Sequence, residues 1–179
     1  MGVSSAVGTA PRALPGPADV PAAYGTVAAP RQGLSEQGFG WIAAHGGAGT
    51  TTLTGLLGGI DLGCRWPDAA LREPAKVLLA ARTNAEGMRA AGRALNALRE
   101  GRHPAGMRLV ALVLVADAPG RLPLPLARRI RVLRSIAPLY RVPWMPTWRL
   151  GIEPTRVPKE LFGLADAVGA DRDRPGSKR

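Results

Sequence analysis

The sequence contains an unbroken apolar run at 109–116, between Arg108 and Asp117. A strand with one face in water alternates apolar and polar residues, so a run without alternation indicates a strand that is buried on both faces. Such strands occur almost only in parallel sheets that helices cover on both sides. A second run of this kind occupies 77–81. The two runs favour an α/β protein.

Helical patterns separate these runs along the chain. Thr83 and Glu86 have the spacing of a capping box, which predicts a helix that continues to Arg99. We predict strands at 39–44, 77–81, 109–115 and 139–142, and helices at 50–60, 83–99, 124–136 and 159–168. The alternation indicates a small three-layer α/β sandwich with a mostly parallel sheet of roughly four or five strands.

The predicted domain spans 39–169. Residues 1–38 are rich in Gly, Pro and Ala and contain one aromatic residue, Tyr24, which predicts a disordered leader. The polar residues 170–179 are expected to form a frayed tail. The net charge of +11 belongs mainly to the domain, because the charges of the leader cancel.

The cysteine and histidine content excludes two kinds of small domain. Cys64 is the single cysteine, so an intrachain disulfide is excluded, and the two histidines do not complete a structural zinc site. The N-terminus lacks the basic and apolar segments of a signal peptide. The longest apolar run is less than half of a membrane span. We therefore expect a cytoplasmic protein without a membrane span.

A glycine-rich turn lies between the first predicted strand and the first predicted helix. Glycines let consecutive backbone N–H groups point toward an anion, and the helix N-terminus adds the positive end of its dipole. This pattern predicts a phosphate site, whereas the alternative is a structural turn with threonine caps. The candidate residues are Gly46, Gly47, Gly49, Thr50, Thr51 and Thr52.

The order of these residues resembles the deviant phosphate loop of the ParA/MinD class of ATPases, Lys-Gly-Gly-x-Gly-Lys-Thr-Thr. The three glycines and the last two threonines match that loop, but His45 and Thr50 occupy the positions of its two lysines. The resemblance implies a P-loop NTPase-like fold that binds ATP or GTP with Mg²⁺, and it makes Thr51 a ligand of the ion. Without the lysine charges, we expect binding of phosphate or nucleotide without efficient hydrolysis.

Charged residues follow the two buried runs. Asp117 and Gly120 resemble a Walker B element with its switch turn, in which the carboxylate would hold Mg²⁺, and the alternative is an ordinary turn at a strand end. Arg82 and Arg121 follow the runs at the sheet edge where such folds bind ligands. Either arginine is a candidate for the positive charge that Thr50 does not provide.

The predicted helix at 124–136 is basic on the side away from its apolar residues. Arg128, Arg131 and Arg134 lie on that side, and no acidic residue occurs between Asp117 and Glu153. Such a stripe could meet the phosphates of DNA, an acidic partner or anionic lipid, and a simple solvated face is the commonest outcome for a charge run of this kind.

Residues 39–165 also resemble an uncharacterised family of actinobacterial proteins that is often found with plasmid or conjugation genes. The resemblance brings no activity with it. The matching segments are 44–49, 65–67, 81–83, 115–121, 143–144 and 148–149.

Three functions are compatible with these patterns. The first is a degenerate P-loop domain that binds phosphate or nucleotide and acts as an accessory or regulatory partner, for example in plasmid or DNA-transfer processes. The second is a basic nucleic-acid- or protein-binding module with a vestigial phosphate loop. The third is an active small ParA-like ATPase.

Overall fold

The computed structural model describes residues 33–152 and 157–170. The predicted leader, apart from 33–38, and the predicted tail, apart from Ala170, lie outside the described residues.

The strands form one five-stranded, all-parallel sheet in the order β2-β1-β3-β4-β5. This arrangement confirms the predicted α/β class and the parallel pairing. The short strand β2 was not predicted, because two residues are too few to show a period. The strands are β1 (Gly40–Ala43), β2 (Ile60–Asp61), β3 (Lys76–Arg82), β4 (Arg108–Val115) and β5 (Leu139–Val142).

The helices alternate with the strands, apart from the connection between β2 and β3. Helix α1 ends earlier than the predicted residue 60, because Gly58 and Gly59 take positive φ values of 79° and 87° and lead into β2. No helix in the described part of the chain is long and apolar enough to cross a membrane. The helices are α1 (Thr50–Leu57), α2 (Ala85–Arg99), α3 (Leu124–Arg134), α4 (Pro146–Arg149) and α5 (Phe162–Val168), with a 3₁₀ turn at Lys159–Leu161.

Neighbouring residues of the central strands pack on opposite faces of the sheet. Leu78 and Val113 lie in an apolar cluster with residues of α1 and α5. Leu79 and Leu112 lie in a second cluster, with residues of α2 and α3. All four side chains are buried. Helices therefore cover both faces of β3 and β4, as their unbroken apolar runs predict.

Residues before β1 already pack on the domain. Leu34 contacts the cluster on the α2 and α3 side, and Ser35 pairs with Pro74 in a parallel bridge. Glu36 forms an ion pair with Arg108 at the start of β4. The segment 34–36, which the sequence assigns to the leader, therefore contacts the domain.

Helix α2 begins one residue later than a capping box at Thr83 requires. Asn84 is the N-cap, and its side chain accepts a hydrogen bond from the backbone N–H of Gly87 at 2.7 Å. The buried Thr83 hydroxyl accepts instead from the backbone N–H of Asp117 at 3.0 Å. The predicted capping box of Thr83 and Glu86 is therefore wrong, because a tertiary contact uses the Thr83 hydroxyl.

Candidate functional site

The candidate site lies at the carboxyl ends of the strands, where the chain changes direction across the sheet. After β1, the chain forms β2 at one edge of the sheet. It then crosses to the other side of β1, where β3, β4 and β5 follow in order. Ligands of open α/β sheets bind at such a reversal. A cleft of about 600 Å³ opens there, lined by the turn after β1, the ends of β3 and β4, and the segment between β5 and α4.

The turn after β1, at 45–49, requires glycine at two positions. Gly47 and Gly49 have φ values of 76° and 97°, which side chains of L-residues rarely adopt. Gly46 does not share this conformation. The turn leads directly into α1, whose N-terminus has no side-chain cap. The first-turn N–H groups of α1 therefore remain available to a ligand.

The His45 side chain connects this turn to the end of β3. Its Nδ1 lies 2.8 Å from the carbonyl oxygen of Gly46, and its Nε2 accepts a hydrogen bond from the backbone N–H of Arg82 at 3.1 Å. Both contacts are satisfied by the neutral ring with its proton on Nδ1. The residue at the position of the deviant lysine is therefore a brace between β1 and β3, with both ring nitrogens engaged.

Arg82 places a positive charge beside the glycine turn. Its Nε donates to the carbonyl of Gly47 at 3.0 Å, and an η-nitrogen donates to the carbonyl of Ala116 at 3.2 Å. The other η-nitrogen lies 3.9 Å from the point where a Cβ on Gly49 would stand. No carboxylate of the described residues pairs with Arg82. Its remaining N–H groups therefore stay available to an anion.

The first two threonines of α1 turn toward β2. The hydroxyls of Thr50 and Thr51 donate to the same oxygen of Asp61, at 3.1 and 2.9 Å. The other oxygen of Asp61 accepts from the backbone N–H of Gly63 at 3.0 Å. Thr52 lines the cleft, whereas Thr50 and Thr51 do not.

Asp61 is a residue that the sequence reasoning missed. The available signal was an aspartate directly after an apolar residue at a strand end, the same pattern that drew attention to Asp117. Its carboxylate holds the start of α1 against β2 and so helps to position the glycine turn.

Asp117 lines the cleft from the end of β4, and β3 lies between β4 and β1. The structure does not bring Asp117 and Thr51 together, because the Thr51 hydroxyl bonds to Asp61 and does not line the cleft. The described residues form no group of three or more His, Cys, Asp or Glu side chains that could hold a metal ion. The roles of Thr51 and Asp117 as Mg²⁺ ligands therefore stay a prediction, and in this structure the Thr51 hydroxyl contacts Asp61.

The wall opposite the glycine turn is aromatic. Trp144 and Trp148 line it together with Pro143 and Met145. The indole N–H of Trp148 is buried and has no hydrogen-bond acceptor among the described residues.

The charge balance of the cleft favours an anion only weakly. Glu86 lines the cleft, and its pKa is held below the ordinary value by a hydrogen bond from Arg93, with further contributions from the charges of Arg93 and Arg89. Because these two arginines form ion pairs with Glu86, its negative charge is offset. The charges left facing the cleft are those of Arg82 and Asp117.

The remaining predicted residues lie outside this cleft. Arg121 lines a neighbouring cavity, and Asp117 and Trp144 line both that cavity and the cleft. The arginines of α3 are exposed on the outer side of that helix, and none of them lines the cleft. They are Arg129 and the three predicted residues, Arg128, Arg131 and Arg134.

Comparison with known proteins gives a family and no activity. Residues 39–162 match the model of a family of unknown function, DUF6668. This match confirms the expectation of an uncharacterised family over the domain. No curated protein and no solved structure matches the chain.

A glycine in α2 allows the brace between β1 and β3 to form. A Cβ on Gly87 would stand 2.9 Å from both the backbone nitrogen of Arg82 and Nε2 of His45, and it would overlap the Arg82 carbonyl. The Gly87→Ala substitution is therefore expected to lower the free energy of unfolding by about 1–3 kcal/mol, measured by urea denaturation.

Gly92→Ala in the same helix is the matched control. The nearest atom there is an η-nitrogen of Arg129 at 3.5 Å, so alanine is expected to stabilise the protein by about 0.5–1 kcal/mol. Equal effects of the two substitutions would show that α2 does not pack closely on the brace.

Proposed function

Because the chain belongs to the DUF6668 family, whose function is unknown, we propose a function from its site: the cleft binds the phosphate groups of a nucleotide, or free phosphate, without efficient hydrolysis. The protein then acts as an accessory or regulatory partner rather than as an enzyme. The observation that carries this proposal is the position of Arg82, whose guanidinium lies against the glycine turn and pairs with no carboxylate of the described residues.

The backbone supports an anion at this position. The positive φ values of Gly47 and Gly49 shape the turn in front of α1. The uncapped first turn of α1 offers N–H groups, and the helix dipole adds a partial positive charge. A phosphate at this point would replace the water that these donors otherwise bind.

Arg82 supplies part of the charge that the missing lysines would provide. Two backbone carbonyls hold its guanidinium, so little side-chain entropy is lost when an anion binds. The same contacts limit its reach, because they use some of its N–H groups. Arg82 is therefore better placed to bind a phosphate than to contact a phosphoryl group while that group is transferred.

The absence of efficient hydrolysis follows from the residues around the turn. Thr50 replaces the loop lysine, is buried, and bonds to Asp61. His45 uses both ring nitrogens in structural contacts and is not free to activate water. Stabilising a transferring phosphoryl group requires several preorganised positive charges around it, and among the described residues that line the cleft Arg82 is the one arginine or lysine.

The relationship to P-loop NTPases is part of this proposal. It is supported by the positions of the glycines between a buried parallel strand and a helix. The roles that the resemblance implied for Thr51 and Asp117 as joint Mg²⁺ ligands are not part of it. ATP and GTP are the ligands to test first, with and without Mg²⁺.

Calorimetry with tripolyphosphate, ATP and GTP tests the proposal on the full chain. The wild-type protein is expected to bind at least one of them, and Arg82→Gln is expected to weaken that binding about 10- to 100-fold, since a hydrogen bond to a charged group contributes about 1.5–3 kcal/mol. Arg82→Lys is expected to keep part of the affinity, because the positive charge remains.

Arg121→Gln is the control, because it removes the same charge from the neighbouring cavity. It is expected to bind like the wild type. A wild-type protein that binds none of the three ligands, or an Arg82→Gln variant that binds them undiminished, would overturn the proposal.

Hydrolysis of ATP and GTP by the purified protein is expected at the uncatalysed background, because neither lysine of the resembled loop is present. Phosphate release is the measurement, with and without Mg²⁺. Turnover above about 1 per second that disappears in a Thr51→Ala variant would identify an active enzyme and contradict the non-catalytic assignment.

A further inference from the structure

The outer side of α3 is a second charged surface, separate from the cleft. We propose that this surface, the α3 arginine face formed by Arg128, Arg129, Arg131 and Arg134, docks on the phosphate backbone of duplex DNA. All four arginines are exposed.

Packing fixes which side of α3 faces outward. Ile130 and Leu133 are buried in the apolar cluster on the α2 and α3 side of the sheet. Arg128, Arg131 and Arg134 follow one another at every third position, which places neighbouring guanidinium groups about one helical turn apart. The core therefore holds the helix in place while its charged residues face water.

The charge of this face is not neutralised by the protein. Each ion pair among the described residues involves an arginine elsewhere, at positions 65, 89, 93, 102 and 108. No acidic residue occurs within α3. Arginines spaced three apart repel one another and weaken the helix slightly, so an external polyanion would relieve that repulsion.

The charge extends toward α2. An η-nitrogen of Arg129 lies 3.5 Å from the point where a Cβ on Gly92 would stand, so this side chain reaches the neighbouring helix. The acidic residue on the first turn of α2, Glu86, is engaged by Arg89 and Arg93. The charge of Arg129 therefore lies at the boundary between α3 and α2.

The geometry favours duplex DNA over two other polyanions. A membrane-bound amphipathic helix inserts its apolar side into lipid, but the apolar side of α3 is buried in the protein core. Single-stranded nucleic acid is usually held by stacking on aromatic side chains, and neither α2 nor α3 contains one. A rigid helix with regular charges fits the major groove or the regular phosphates of B-form DNA.

Fluorescence anisotropy with a labelled duplex of mixed sequence, across a salt series, tests this proposal on the full chain. The wild-type protein is expected to bind with little sequence preference, because phosphate contacts carry no base information. Replacing Arg128, Arg131 and Arg134 together by Gln is expected to reduce the slope of log affinity against log salt by about 2 to 3, at roughly 0.9 per lost phosphate contact.

The control is a second triple variant, with Arg93, Arg102 and Arg108 replaced by Gln. It removes the same net charge from exposed arginines that form ion pairs with carboxylates. It is expected to change the slope by less than about 1. Circular dichroism of both variants checks that the fold is retained.

Three results would overturn the proposal. The first is an unchanged slope in the α3 variant, and the second is an equal loss in both variants, which would indicate a general charge effect. The third is tighter binding to vesicles of anionic lipid, or to duplex RNA, than to duplex DNA. A lowered slope confined to the α3 variant would support the α3 arginine face as the docking surface.

Discussion

Arg82 connects the parts of the sheet on which the candidate site depends. Its backbone N–H donates to His45 after β1, and its side chain donates to the carbonyls of Gly47 and Ala116, which follow β1 and β4. One residue at the end of β3 therefore sets the distances between three neighbouring strand ends. The cleft opens at these strand ends, so the Arg82 contacts help to set its shape.

The same contacts determine the chemistry that the cleft can support. Backbone carbonyls hold the guanidinium in a fixed place, and the hydroxyls of Thr50 and Thr51 are held by Asp61. A fixed cation beside a helix N-terminus is suited to binding an anion. Side chains that are committed to structural hydrogen bonds are poorly suited to moving protons. These contacts therefore support the proposed role of the cleft in anion binding.

Much of the fold could be predicted from the sequence because its strands are buried on both faces. The apolar runs that became β3 and β4 identified the parallel sheet, and the glycines identified the turn after β1. Gly47 and Gly49 do take the positive φ values that a phosphate turn needs. These features could be predicted from short stretches of sequence, because a strand buried on both faces requires apolar residues and a positive φ favours glycine.

The side-chain contacts of the site could not be predicted in this way. Thr51 was expected to face a metal ion beside Asp117, but its hydroxyl bonds to Asp61, a residue in a strand too short to detect. Thr83 was expected to cap α2, but it accepts a hydrogen bond from Asp117, 34 residues along the chain. Each outcome depends on which strand ends meet in space, and a motif read along the sequence does not contain that information.

NMR of the uniformly ¹⁵N-labelled protein during titration with tripolyphosphate tests whether the glycine turn, with Arg82 beside it, is the proposed anion site. We expect the largest shift changes at the amides of Gly47, Gly49 and 50–52 and at Nε of Arg82. Unchanged signals at these groups, or larger changes on α3 than at the turn, would contradict this proposal.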